Sequence, residues 1–83
     1  GGGGRGGGEP MPQGKAQRQL LTALRERQKG SDSDMIWCLP DLRQIGREAA
    51  MSKTTAHAAA EALAFSTFMT STIGGYKLSK EGN

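Results

Sequence analysis

The sequence has little of what catalysis, metal binding or cross-linking requires. It contains one cysteine and one histidine, too few for an internal disulfide, a cysteine-based zinc site or a nucleophile with its base and orienting group. We therefore expect no enzymatic activity and no metal or other cofactor. The apolar neighbours of Cys38 favour a buried, reduced thiol in a cytoplasmic protein.

Aromatic residues and long apolar runs are also scarce. Aromatic side chains make up 5% of the chain, and no apolar stretch approaches the length of a membrane span, so we expect no membrane association. A chain of 83 residues with 35% hydrophobic residues allows one small domain and no second core. The net charge of +3 permits binding to nucleic acid without requiring it.

Glycine dominates the first fourteen residues, GGGGRGGGEPMPQG. A segment with so few side chains to bury cannot offset its conformational entropy, so residues 1–14 are predicted to be a disordered tail or linker. Its single arginine resembles an RGG-type RNA-binding element, but one copy is a weak signal, and a linker or cloning remnant is the preferred interpretation. The folded domain is predicted to span residues 15–83.

Two elements are predicted before the middle of the chain. Residues 15–29 form an amphipathic pattern with leucines at 20, 21 and 24, and Gly30 follows as a stop signal. Its basic residues are interpreted mainly as a solvated face. The short apolar run at 35–39, MIWCL, is typical of a buried strand, with Trp37 as a core anchor.

The stretch 39–63 contains two helix starts a short turn apart. Asp41 is a candidate N-cap with Gln44 closing a capping box, and Ser52 is a candidate N-cap for the second helix. Apolar residues recur at helical spacing in both segments, ending with Leu63. Two helices joined by so short a turn must cross, which is the helix-turn-helix geometry.

The second of these helices is predicted to expose a polar N-terminal turn. If the row from Ala56 through Ala59 and Ala60 to Leu63 faces inward, the residues left to point outward or toward the shoulders are Thr54, His57, Ala58 and Glu61. A helix N-terminus offers free N–H groups and the positive end of the helix dipole, which suit a phosphate. Such a tip can enter a major groove. The candidate contacts here are Ser52, Lys53, Thr54, Thr55 and His57.

A β-hairpin is predicted from residues 68–79, with Gly74 and Gly75 as its two-residue turn. This turn would pair Ile73 with Tyr76 and Ser71 with Leu78. Met69, Ser71, Ile73, Tyr76 and Leu78 would then share the face that lies on the core. Thr72 and Lys77 lie on the opposite face and are candidates for phosphate contact.

The assembled order is helix, short strand, helix, turn, helix, hairpin. It predicts a mainly α fold with a small antiparallel sheet (α+β), a winged helix-turn-helix of three helices plus a β-hairpin wing, in which 35–39 joins the hairpin to make three strands. The predicted core consists of Leu20, Leu21, Leu24, Ile36, Trp37, Leu42, Ile45, Ala56, Ala60, Leu63, Phe68, Ile73 and Leu78.

The segment LPDLRQIGREAAMSKTTAHAAAEAL resembles the DNA-binding segment of GntR-type winged-helix regulators. The residues that carry the resemblance are Leu39, Pro40, Arg43, Ile45, Ser52, Thr54, Thr55 and Leu63, with Lys53 in place of the usual arginine. The resemblance implies that Arg43 and Lys53 bind phosphates. It also implies that Thr54, Thr55 and His57 approach base edges. The hairpin that turns at Gly74 and Gly75 would then be a wing whose tip reaches the minor groove.

Three residues depart from that family pattern. Ala50 stands where the family usually has glycine, which would cost about 1 kcal/mol if the backbone there is left-handed. His57 replaces a customary arginine, and Glu61 places an acid near the expected DNA side. These changes bear on the target sequence rather than on the mode of binding.

The sequence therefore favours a sequence-specific, double-stranded DNA-binding domain of a bacterial transcriptional regulator, in the cytoplasm and associated with the nucleoid. Self-association on repeated or palindromic half-sites is expected because one such domain buries little surface on DNA. One alternative is the C-terminal DNA-recognition module of a DNA translocase for plasmid transfer or chromosome segregation, which a glycine-rich tether would suit. A different class is a winged-helix docking module that binds protein through Ala58, Ala62 and Phe65.

Overall fold

The computed structural model describes residues 11–12 and 14–82. Its elements, in chain order, are α1 (Lys15–Lys29), α2 (Leu39–Glu48), α3 (Lys53–Ala64), β1 (Met69–Thr72) and β2 (Gly75–Leu78). The two strands pair antiparallel as a hairpin. The predicted α+β class is confirmed: three helices and a hairpin form a small winged-helix-like fold. None of the helices in the described ranges combines the length and apolarity needed to cross a bilayer.

Most of the predicted tail lies outside the described residues. Of residues 1–14, the structure describes Met11, Pro12 and Gly14. Met11 packs against the core and its thioether accepts a hydrogen bond from the Arg25 guanidinium at 3.1 Å. Pro12 is buried, and its carbonyl accepts from Arg18 at 3.4 Å. The chain thus contacts α1 before the first helical residue.

The core lies where the three helices meet. Its five largest fully buried side chains are Leu20, Leu21, Leu24, Leu42 and Leu63, all of which the sequence predicted. Trp37, Ile45, Ala56, Ala60 and Leu78 are also buried as predicted. Ile36 and Ile73 were wrongly placed in the core, since they are 47% and 95% exposed, and Phe68 is only partly buried. The core also contains Met51, Ala59, Ala64 and Met69.

The crossing of α2 and α3 depends on small side chains. A Cβ added to Gly46 would lie 3.0 Å from the Cβ of Ala56, so a larger residue in place of Gly46 would force the helices apart. The Gly46 carbonyl also accepts hydrogen bonds from the N–H groups of Ala49 and Met51, both at 3.1 Å, which close the turn. Ala50 has a φ of +69°, so the backbone there is left-handed, which is the condition under which alanine in place of glycine has a cost.

The start of α2 differs from the prediction. The helix begins at Leu39, with Cys38 as its N-cap, and not after Asp41. Asp41 occupies the third helical position, where its carboxylate accepts from the Cys38 N–H at 3.3 Å and from the Cys38 thiol at 3.2 Å. Pro40 fits because the first helical positions do not need an N–H donor. The thiol that reaches Asp41 is partly exposed, so the predicted burial of Cys38 is wrong.

The predicted strand at 35–39 is reduced to one bridging residue. Trp37 and Tyr76 exchange backbone hydrogen bonds of 2.8 and 2.7 Å, and no residue beside Trp37 continues the pairing in the described chain. Because α2 already begins at Leu39, little extended chain is left to form a third strand. The named sheet therefore has two strands.

The register of the hairpin is shifted by two residues from the prediction. Met69 pairs with Leu78, Ser71 pairs with Tyr76, and the turn is formed by Ile73 and Gly74. Gly75 lies in β2, with a φ of +151°, where an added Cβ would overlap the Trp37 carbonyl. A shift of two residues preserves the faces. Met69 and Leu78 therefore still face the core, whereas Ile73 stands at the exposed tip.

Candidate nucleic-acid interface

The N-terminal turn of α3 is capped and solvent-exposed. The hydroxyl oxygen of Ser52 accepts from the Thr55 N–H at 3.2 Å, and the Ser52 hydroxyl donates to the Thr55 hydroxyl at 2.9 Å. The predicted N-cap is thus confirmed. Ser52, Lys53, Thr54 and Thr55 are all exposed, and the first turn contains no acid. The positive end of the helix dipole is therefore open to an anion.

The two sides of α3 divide as the helical spacing predicted. Ala56, Ala59, Ala60 and Leu63 are buried against the other helices. On the outer side, Thr54, Ala58 and Glu61 are exposed and His57 is partly buried. Thr54 and His57 thus lie about one turn apart on the outer side, next to the capped tip.

A cationic groove lies between α2 and α3. It has a volume of about 420 Å³ and is lined by Pro40, Arg43, Gln44, Arg47, Lys53 and His57. Arginine and lysine supply three of the six lining residues, and none of the six is acidic. Arg43 and Arg47 are four residues apart, which places them on one face of α2. Arg47 was missed from the sequence, although this spacing could have identified it.

Arg43 is held by an acid from the neighbouring helix. Its guanidinium forms an ion pair of 3.4 Å with the carboxylate of Glu61, and the two side chains are 32% and 57% exposed. The Arg43 Nε is buried and has no hydrogen-bond partner within the described part of the chain. The guanidinium therefore joins α2 to α3.

The predicted contacts on the hairpin are less closely grouped than those on the helices. Lys77 forms an ion pair of 3.5 Å with Asp34, in the loop that precedes Trp37. Thr72 is partly buried, and Gly74, with a φ of +90°, is exposed at the turn. Gly75 is not at the tip, because it lies against Trp37. None of these four hairpin residues lines the groove between α2 and α3.

One aromatic contact attaches the hairpin to the end of α3. The rings of Phe65 and Tyr76 meet edge to face, with their centroids 6.0 Å apart. Phe65 is nevertheless 72% exposed. The hairpin is thus anchored beside the C-terminal end of α3, while the groove opens at its N-terminal end.

The fold and this surface define a winged-helix-like domain with a basic groove. Comparisons of the chain with models of protein families, with curated proteins and with solved structures found no match. Within the described ranges, no group of three or more histidine, cysteine, aspartate or glutamate side chains could hold a metal ion.

Proposed function

We propose that this chain is a sequence-specific, double-stranded DNA-binding domain. The single observation that carries the proposal is the groove between α2 and α3, where Arg43, Arg47 and Lys53 lie together beside the open N-terminus of α3. Cations and helix N-termini are the groups that proteins use to hold phosphates. The first turn of α3 contains no acidic residue, which favours the approach of a phosphate.

In the proposed complex, the N-terminal turn of α3 enters the major groove. Lys53, Arg43 and Arg47 bind phosphates on its flanks and fix the register of the helix. Thr54 and His57 are then the side chains nearest to the base edges. Thr55 contributes through the cap, since its hydroxyl and N–H are both bonded to Ser52. Thr72 and Lys77 are secondary phosphate contacts on the hairpin.

The biological setting that we propose is bacterial transcription regulation, which the resemblance to GntR-type regulators supports. Pairing of two domains on repeated or palindromic half-sites would supply the specificity that one small domain lacks. The layout of a glycine-rich segment before the domain is also compatible with a DNA-translocase module. Selection from a random duplex pool separates the two, because palindromic operators and tandem repeats differ in symmetry.

A protein-docking role is the competing function. Phe65 and Ile73 are 72% and 95% exposed, and Ala58 and Ala62 add small apolar side chains on the exposed part of α3. Exposed apolar side chains of this kind can receive a partner helix. Binding of that kind would depend weakly on salt, whereas DNA binding depends on it steeply.

The test compares two lysine variants in binding to duplex DNA across a salt series. Lys53→Ala should weaken affinity for all sequences and reduce the slope of log affinity against log salt by about one. Lys29→Ala removes the same charge from the exposed C-terminal end of α1 and should leave the slope unchanged. Salt-insensitive binding of the unmodified chain, or equal effects of the two substitutions, would contradict the proposal.

A further inference from the structure

An acidic side chain lies within the proposed DNA-binding face. Glu61 follows His57 by four residues and Thr54 by seven, so the three side chains lie on one side of α3. The Glu61 side chain is 57% exposed and pairs with Arg43, which lines the basic groove. A carboxylate here repels phosphate and neutralises a cation that would otherwise attract it. Such a cost needs a compensating contact in the complex.

We propose that Glu61 reads a base, by accepting a hydrogen bond from the exocyclic amino group of a cytosine in the major groove. This inference rests on the proposed function. An ionised carboxylate can only accept hydrogen bonds. Guanine offers two acceptors in the major groove and thymine offers one, so both repel it. Adenine offers an amino donor beside its own N7 acceptor, whereas cytosine offers an N4 donor and has no acceptor of its own in the major groove. Cytosine is therefore the best match.

Arg43 is the positioning residue for this contact. Its planar guanidinium carries five N–H donors, so it can hold the Glu61 carboxylate and a DNA phosphate at the same time. Glu61 is contacted by one terminal nitrogen of the guanidinium at 3.4 Å, and the Arg43 side chain is 32% exposed, so a phosphate can approach the same guanidinium. A carboxylate fixed in this way remains exposed enough to meet a base.

The acid also discriminates against wrong sequences. On a DNA sequence where no amino group faces Glu61, its negative charge repels the nearby phosphates and no hydrogen bond offsets that repulsion. Ion pairs this exposed contribute little to folding. Removing the carboxylate should therefore change DNA binding and leave the fold intact.

The experiment selects binding sites from a random duplex pool with the unmodified chain and two Glu61 variants. The unmodified chain should select cytosine at one position. Glu61→Gln should shift that position to adenine, because an amide pairs with both N6 and N7 of adenine, and Glu61→Ala should remove the preference. Both variants should bind non-specific duplex about fivefold more tightly, as expected when a repelling charge is lost. Glu26→Gln, the same charge change at an exposed site on α1, is the matched control.

A second variant tests the role of Arg43. Arg43→Lys retains the cation but loses the planar fork, so it should weaken the preference at the cytosine position more than it changes the bases selected elsewhere in the site. A helical circular dichroism spectrum and melting temperature like those of the unmodified chain verify the fold of each variant.

The outcomes separate this inference from the proposed function. If the unmodified chain binds a defined sequence and Glu61→Gln selects the same bases, the base-reading role is wrong while DNA binding stands. Tighter non-specific binding with unchanged base preference would make Glu61 a repelling group only, which also overturns the inference. If the unmodified chain shows no salt-dependent binding to duplex DNA, the proposed function itself is wrong.

Discussion

The helix pair α2–α3 and the β-hairpin are held in place by different means. The helices cross closely because Gly46 has no side chain and Ala56 has only a methyl group. Backbone hydrogen bonds to the Gly46 carbonyl stabilise the turn between them. The hairpin has four-residue strands and is joined to the chain before α2 through the paired N–H and carbonyl groups of Trp37 and Tyr76. Close apolar packing therefore orders the helix pair, whereas the hairpin depends on two core side chains, Met69 and Leu78, together with directional backbone bonds to Trp37.

This difference indicates which parts of the proposed interface are rigid. Three predicted contacts, Arg43, Lys53 and His57, project from the tightly packed helix pair. Lys77 projects from the hairpin, and within the described residues it forms an ion pair with Asp34, which lies in a loop. Sites on packed helices keep their geometry better than sites on lightly attached segments. We therefore expect sequence recognition to lie mainly on the helices.

Separating α2 from α3 should destabilise the domain most. Gly46→Leu introduces a side chain into the space occupied by Ala56 and should lower the free energy of unfolding by about 2–3 kcal/mol, despite the better helix propensity of leucine. Urea unfolding monitored by helical circular dichroism measures the change. The matched control is Gly30→Ala, where an added Cβ lies 3.6 Å from the nearest atom and the stability should change little. Equal stability of the two variants would contradict the close packing.

A smaller effect is expected from detaching the hairpin. Gly75→Ala places a Cβ against the Trp37 carbonyl at a φ of +151°. It should cost about 1–2 kcal/mol, and amide hydrogen exchange should accelerate at Trp37 and Tyr76 while the amides of α3 remain protected. Gly74→Asn is the control, because the space around Gly74 is open and asparagine tolerates a positive φ. Loss of protection throughout α3 would show that the two regions unfold as one.

Substitutions in the turn between α2 and α3 should change the stability least. Ala50 has a φ of +69° in the turn, so Ala50→Gly should raise the free energy of unfolding by about 0.5–1 kcal/mol through relief of the left-handed strain. The neighbouring Ala49, at a φ of −86°, has no such strain, and Ala49→Gly should destabilise the fold instead. Thermal or urea melts of the two variants should therefore shift in opposite directions.

Local rules predicted the helical part of this fold well. The three leucines of α1, the Ser52 cap and the buried side of α3 all follow from spacing within one segment. The outward direction of Thr54 and Glu61 follows from the same spacing. What the spacing could not show is the partner of each outward side chain. Arg43 on α2 contacts Glu61 on α3, and that contact depends on how the two helices cross.

The errors in the prediction arise where contact with another segment decides the structure of a residue. The sequence 35–39 favours a strand, but Leu39 joins α2 and leaves Trp37 alone to pair. The two glycines favour a turn at 74–75, but the close approach of Trp37 requires glycine within the strand at Gly75. That requirement moves Ile73 from a core position to the tip. Pairwise tertiary contacts of this kind are not encoded in local periodicity.

The position of Trp37 gives this domain a built-in optical probe. It is the only indole in the sequence, it is 95% shielded from solvent, and its backbone makes the bonds that hold the hairpin. Its fluorescence therefore reports the attachment of the hairpin, while ellipticity reports the helices. One unlabelled sample can thus show whether the two regions respond together or separately when a duplex is added.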